Sequence, residues 1–408
     1  MTDYEHFLSP TGRQLAGSAI RQMGVLVAQA PDMVSFAPGY PDPALFPWDE
    51  LREISDALLG AHHGDTLQYG PTRGHAPLLG ALLGVVHARG IQAARENLII
   101  TSGSQQGIDL IARVFVSPGD VILVELPTFT GAIAAFKNAG ANVVGVKLED
   151  DGISLDDLDA VWDREHRAGR PVKLLYVIPN FQNPTGSLLA LRKRPLLLEW
   201  AERRDVLIVE DDPYGSLYFE DVATSAETRP LAADDANGRV LYLSTVSKTL
   251  APGFRVGWMV AARALIDRFD VAKQSTDLTS GVLDQHIVYE ALRRGVIDRI
   301  APVLRRAYRQ KRDVIEGAMR AHLGDRLSWL PPKGGFFVWA TLPQGRTDVE
   351  VLTQALAHGV VFVIGSALFV DGSGHETIRL SFSAPSAERI EEGMRRLAAV
   401  LQPALTRS

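Results

Sequence analysis

Short apolar runs recur through the middle of the chain, and helical patterns fill most of the gaps between them. The runs are Asn97–Thr101, Val121–Val124, Val143–Val146, Leu174–Ile178, Val206–Val209, Val240–Leu243 and Val256–Val260. Their lengths and the turn residues around them read as strands, and their near-continuous apolarity reads as burial on both faces. Helical periodicity marks Gln105–Val116 and Leu188–Arg204, and Gly140, after Phe136–Lys137–Asn138–Ala139, reads as a helix C-cap. Such alternation predicts an α/β domain around a mostly parallel central sheet flanked by helices. Residues 1–45, rich in Pro and Gly near PGYPDPALFP, read as an N-terminal arm, and 46–285 as the large domain. From 286 to 408 the pattern changes to long helices, strands at Phe336–Ala340 and Ile378–Phe382, and a terminal helix, which predicts a smaller α+β domain.

Composition narrows the function classes. A chain of 408 residues with 46% hydrophobic and 22% charged residues has ample material for a large core. A net charge of −6 argues against a general nucleic-acid binder. The absence of cysteine rules out disulfides, thiol nucleophiles and Cys-ligated zinc. The histidines form no HExxH motif and pair only at His62-His63, in a polar stretch, so no metal site is expected. The opening MTDYEHFLSP is acidic and lacks an apolar core, so no secretory leader is expected. Val351 to Val370 contains no charged Asp, Glu, Lys or Arg, but Thr353, Gln354, His358, Gly359, Gly365 and Ser366 interrupt it. A helix through Ala357, a stop at Gly359 and a strand Val360–Val363 fit it better than a membrane span. A cytoplasmic protein is expected.

Polar clusters follow the predicted strands: TSGSQQ after Thr101, NFQNPTG after Ile178, EDDPY after Val209 and STVSK after Leu243. Ligands of an open parallel sheet bind outside the carboxyl ends of the strands, so these clusters point to one shared pocket. Ser102-Gly103-Ser104-Gln105 opens a helix, which is either an ordinary N-cap or a phosphate site. No GxGxxG or GxxxxGK[ST] is present, which excludes the dinucleotide and ATP fingerprints. Lys248 lies among small hydroxyl residues ahead of Arg255, a neighbouring cation that would disfavour its ammonium form. Taken alone it reads as a surface lysine. The S-x-x-K echo in Thr245-Val246-Ser247-Lys248 lacks the serine nucleophile and the companion S-D-N and K-T-G motifs. Glu210-Asp211-Asp212 is a set of solvated loop acids or a buried carboxylate for a ring nitrogen. Arg255 and Arg379, beside apolar strands, either pair with structural acids or hold phosphate and carboxylate.

In order and spacing, LQYGPTRG, TSGSQQGIDL, ELPTFTGA, YVIPNFQNPTG, IVEDDPYG, STVSKTLAPGFRVGW, PPKGGFFVW and IRLSFS resemble the class I/II aminotransferases of pyridoxal 5′-phosphate (PLP) fold type I. The resemblance is nearest to the α-aminoadipate/kynurenine and broad-specificity amino-acid branch, and it covers nearly the whole chain. It implies an enzyme that moves an amino group from an amino acid to a 2-oxo acid. Lys248 would carry PLP as a Schiff base and shuttle the proton. Asp211, three residues before Tyr214, would pair with the ring nitrogen. Tyr214 and Asn183 would bond the ring 3′-oxygen, and Phe129 would stack on the ring. Ser104, Gln105, Thr245, Ser247 and Arg255 would hold the phosphate. Arg379, Asn183 and Gly39 would receive the substrate, and Arg21 is the candidate for a distal substrate carboxylate. Tyr69 would reach the phosphate of the neighbouring subunit in a homodimer. Two positions depart from the pattern: Thr245 replaces the commoner serine, and Ile364 stands where a proline is expected. The same lysine and aspartate also suit a PLP-dependent lyase, cyclase or decarboxylase. A PLP-sensing transcription regulator would need a DNA-binding domain ahead of Pro38, where the sequence leaves no room for one.

Overall fold

The computed structural model describes residues 4–14 and 32–402. Numbered along the chain, the strands are β1 Val34–Ser35, β2 Leu98–Thr101, β3 Val121–Leu126, β4 Asn142–Glu149, β5 Gly152–Ile153, β6 Val172–Val177, β7 Leu207–Asp211, β8 Val240–Thr245, β9 Gly257–Val260, β10 Ser328–Trp329, β11 Phe337–Thr341, β12 Val360–Val361, β13 Val363–Ile364 and β14 Thr377–Ser381. Eight of them form one sheet in the order β2-β9-β8-β7-β6-β3-β4-β5. Neighbours from β8 through β4 pair in parallel; β9 is inserted antiparallel between β2 and β8, and β5 closes the far edge antiparallel. The expected α/β fold with a mostly parallel sheet is what the chain adopts.

Successive strand residues point to opposite faces, and both faces are covered. Ile99, Ile122, Leu174, Val209 and Met259 pack with helices Ser104–Phe115, Thr130–Asn138 and Arg263–Gln274. Ile100, Leu123, Leu175, Ile208 and Tyr242 pack with helices Leu155–Arg167, Lys193–Arg204 and Val282–Arg293 on the other face. The helix that follows β3 and the helix that follows β6 therefore lie on opposite sides of the sheet, although the strands are neighbours. Their connections part at the carboxyl ends and leave a crevice there.

Three local features refine the sequence expectations. The helix expected from Leu188 begins at Lys193, because Leu189 and Ala190 direct their N–H groups to Pro179 O (2.8 Å) and Asp151 O (2.9 Å) instead. The strand expected over Val360–Val363 is divided: Val360–Val361 pairs with β1, while Val363–Ile364 pairs with β14. Ile364 sits at φ −65° and ψ 138°, the backbone a proline would impose, so its substitution keeps the local path. Gly140 does cap its helix, at φ 87° with its N–H on Lys137 O (2.9 Å).

The second sheet, β10-β11-β14-β13, is antiparallel and packs Val338, Leu380 and Phe382 against the long helix Val296–His322 and the terminal helix Ala387–Val400. Val34 and Phe36 belong to this core too, and Phe36 O accepts the Ser381 N–H at 2.8 Å. The strap that follows, residues 37–42, is therefore fastened to the second sheet just before it reaches Arg379 and Lys248. No helix among the described residues is long and apolar enough to cross a membrane.

Candidate active site

The β8–β9 connection carries Lys248, whose half-buried Nζ donates to Gly39 O on the strap at 3.0 Å. Aromatic rings of Tyr214 and Phe336 lie 5.9 Å and 5.8 Å from the same nitrogen. Burial, with Arg255 and Arg379 nearby, pushes the ammonium down to about 8. The free amine is thus far more available near neutral pH than that of a solvated lysine.

Asp211, the last residue of β7, is buried, with Oδ2 accepting from Tyr176 Oη at 2.8 Å. Its Oδ1 is buried without a hydrogen-bond partner. Burial raises the carboxyl to about 7, with the Tyr176 hydroxyl opposing the rise, Asp212 adding to it, and Lys248 and the Ser104 hydroxyl opposing it. Asp212 is different in kind. It accepts from Asn180 Nδ2 (2.9 Å), Arg89 (2.8 Å) and Tyr242 Oη (3.2 Å), so its charge is already matched. Glu210 is likewise engaged, by the N–H groups of Leu231 and Ala232.

Arg379, on β14, is 1% exposed and forms no ion pair among the described residues. One nitrogen donates to Asn183 Oδ1 at 2.7 Å, another to Ala37 O at 2.5 Å, and Nε has no acceptor. The guanidinium lies 4.3 Å over the Phe337 ring, and burial lowers it to about 10. A buried cation without an anion is expensive unless a ligand supplies the charge.

A third group faces the N-terminus of helix Ser104–Phe115. Gly103 caps it at φ 75°, and a Cβ there would run into the Arg255 guanidinium. Arg255 bonds Ser102 O (3.1 Å), Pro252 O (3.2 Å) and Ser247 Oγ (3.4 Å), and no carboxylate among the described residues. Ser247 Oγ and Thr245 Oγ1 lie 2.8 Å apart, and Thr245 Oγ1 also donates to Val256 O at 2.8 Å. Free first-turn N–H groups, two hydroxyls and an unmatched guanidinium make a cradle for a dianion.

Of the other expected residues, Gln105, Phe129, Tyr214 and Gly39 lie around these groups. Gln105 directs its side chain to Gly131 O (3.0 Å), which leaves its backbone N–H for the cradle. Phe129, N-cap of helix Thr130–Asn138, sits beside Gln105, since both would obstruct a Cβ on Gly131. Tyr214 is buried edge-on to Phe336 and Phe337 at 5.4 Å and 5.9 Å between ring centres, and its hydroxyl has no partner among the described residues. Gly39 lies against the Phe337 ring so closely that a Cβ would come within 2.6 Å of it. Tyr69 stays apart, 80% exposed in its turn. Arg21 lies outside the described residues. Sequence reading assigned no role to Tyr176, Asn180 or Arg89. Tyr176 left one trace, a hydroxyl inside the otherwise aliphatic run Leu174–Ile178.

The unpartnered Asp211 oxygen, the dianion cradle and the depressed lysine together fit the pyridine nitrogen, phosphate and aldehyde of PLP. The family described as aminotransferase class I and II matches residues 44–397. The aromatic-amino-acid aminotransferase 1 of Thermococcus litoralis is 39% identical over 98% of this chain and 95% of its own. The 2-aminoadipate transaminase of Thermus thermophilus is 38% identical over 98% of this chain and 97% of its own. A solved kynurenine aminotransferase of Pyrococcus horikoshii, in complex with PMP, is similar with a TM-score of 0.92 at 36% identity, covering 98% of both chains.

Proposed function

The chain belongs to the class I and II aminotransferases and is a PLP enzyme, and from that premise we propose that the cluster around Lys248 is its active site. The bound cofactor supplies an electron sink through which an amino group leaves an amino acid and passes to a 2-oxo acid. Lys248 Nζ anchors the cofactor and moves the proton at the substrate α-carbon. Asp211 Oδ1 accepts the ring N–H and keeps that nitrogen protonated. The Tyr214 hydroxyl and the Asn183 amide nitrogen hold the 3′-oxygen, while Phe129 lies against the ring. Ser104, Gln105, Thr245, Ser247 and Arg255 hold the phosphate. Arg379 and Asn183 receive the α-carboxylate, with the Gly39 strap closing over them. The working unit is a homodimer in which Tyr69 serves the partner's phosphate.

The observation that carries this reading is the pair of unmet buried groups near Lys248: Asp211 Oδ1 and Arg379 Nε. One asks for a cationic N–H, the other for an anion, and a substrate-loaded cofactor presents both. Borohydride treatment of the purified holoenzyme should fix the cofactor's mass on the peptide holding Lys248. Donors with long side chains head the screen, because aromatic amino acids, 2-aminoadipate and kynurenine are named for the relatives. A productive donor should yield its 2-oxo acid and the aminated cofactor in equal amounts. A labelled peptide elsewhere would refute Lys248; product without aminated cofactor would replace transamination by a lyase or cyclase reaction.

A further inference from the structure

The crevice between β3 and β6 is bridged at its floor by two buried side chains that have no part in the chemistry above. Glu125, near the end of β3, accepts at Oε2 from the Ile178 N–H (3.0 Å) and from Gln182 Nε2 (3.2 Å). Gln182 Nε2 also donates to Pro127 O at 2.8 Å, and Oε1 accepts from the N–H and the hydroxyl of Thr185, both at 2.9 Å. Its backbone closes the same turn: its N–H reaches Ser187 O (2.9 Å) and its carbonyl takes the Gly186 N–H (2.7 Å). One side of Gln182 is thus tied to the segment leading into Phe129. The other side encloses Asn183, Pro184 and Thr185, and Asn183 is the side-chain partner of Arg379.

We propose that Glu125 and Gln182 are positioning residues: joined across the crevice, they hold the Asn183 turn against the Phe129 segment and so set the Asn183–Arg379 pair for the substrate's α-carboxylate. The inference rests on the role given to Arg379 above. Its physical basis is the divergence of the two connections, which have no sheet hydrogen bonds to each other beyond the strands. A bridge there must be buried, and a charged one would be penalised. Burial pushes the Glu125 carboxyl up to about 8 with no cation to offset it, so near neutral pH the bridge is mostly uncharged. An uncharged Glu125 also avoids setting another anion beside the Tyr176–Asp211 pair, whose tyrosine feels both acids. An amide can therefore replace this carboxyl, whereas an apolar side chain of similar size cannot.

Four holoenzyme variants test this: Glu125→Gln, Glu125→Leu, Gln182→Asn and, as control, Arg379→Lys. KM for donor and acceptor, kcat, cofactor absorbance and Tm are measured for each. Glu125→Gln should match the parent. Glu125→Leu should raise both KM values about tenfold, the scale of one lost hydrogen bond, with cofactor retained and kcat changed far less. Gln182→Asn keeps the chemical groups but falls one methylene short, so it should show the same KM effect and decides the matter if the leucine variant does not fold. Unchanged KM in Glu125→Leu and Gln182→Asn, beside a raised KM in Arg379→Lys, would overturn the proposal alone. Unchanged KM in Arg379→Lys would overturn the role of Arg379 and the inference with it. Loss of kcat and cofactor in step with Tm, without a KM effect, would reduce the bridge to a stability element and refute the positioning role.

Discussion

Asp211 and Asp212 are adjacent aspartates and both buried, yet their surroundings differ in kind. Asp212 is matched by Arg89 and two further donors, so it neutralises a charge that the fold itself buries. Asp211 retains an unpartnered oxygen beside Lys248. Asp211→Asn should therefore leave Tm unchanged or higher, because a penalised carboxyl is removed, while lowering kcat about 10²-fold or more. Asp212→Asn should do the reverse. It leaves Arg89 under-compensated, and breaking such a pair costs about 3–5 kcal/mol, with an asparagine at the lower end because its oxygen still accepts. Thermal melts alongside steady-state rates separate the two, and the opposite pattern of damage would show that Asp212 is the acid facing the cofactor.

At the scale of elements, the site depends on one helix start. Ser104–Phe115 buries Ile108, Leu110 and Ile111 against the sheet, so its axis is set by packing. Its N-terminus must then meet Arg255 at whatever distance Gly103 permits. Gly103 has positive φ and no room for a Cβ beside that guanidinium. Gly103→Ala should cost about 1–3 kcal/mol in stability through the strained backbone. It should also displace Arg255 and weaken PLP binding tenfold or more, about 1.5–3 kcal/mol for one lost charge-assisted hydrogen bond. Cofactor dissociation followed by absorbance, with phosphate-free pyridoxal as comparison, checks this. Equal weakening toward both ligands would deny the helix start its phosphate role.

Across the whole molecule, the strap from Ala37 to Asp42 links both bodies. Ala37 O meets Arg379, Gly39 O meets Lys248, Tyr40 O accepts from Ser383, and Asp42 pairs with Lys311. The pocket is thereby closed from one side by the chain's own segment. Tyr69 lies elsewhere, strongly exposed beside Leu67, and an aromatic and an aliphatic side chain so placed suit burial against a second copy. If sites are shared across a two-fold axis, mixing an inactive Tyr69 variant with inactive Lys248→Ala should restore activity. One site of each mixed dimer would carry both lesions and the other neither. No recovery despite verified subunit exchange would reject the shared site and leave Lys248 untouched.

Strand periodicity and the order of the polar clusters were legible in the chain because they depend on neighbours a few residues away, whereas the roles expected of Lys248, Asn183, Arg255 and Arg379 rested on the resemblance of whole motifs in order and spacing. An apolar run, a helix cap or a polar turn at a strand end carries its own local signal. What the sequence did not contain is who meets whom. Tyr176 on Asp211, Arg89 on Asp212, Glu125 on Gln182 and Gly39 on Lys248 join segments far apart in the chain. The delayed helix at Lys193 and the split at Phe362 follow from partners equally distant. Burial and hydrogen bonding are properties of pairs, and the pairs exist only once strand register and the crossing of connections are set. Tertiary structure therefore decided which of two neighbouring acids lacks a partner and which buried arginine still needs an anion.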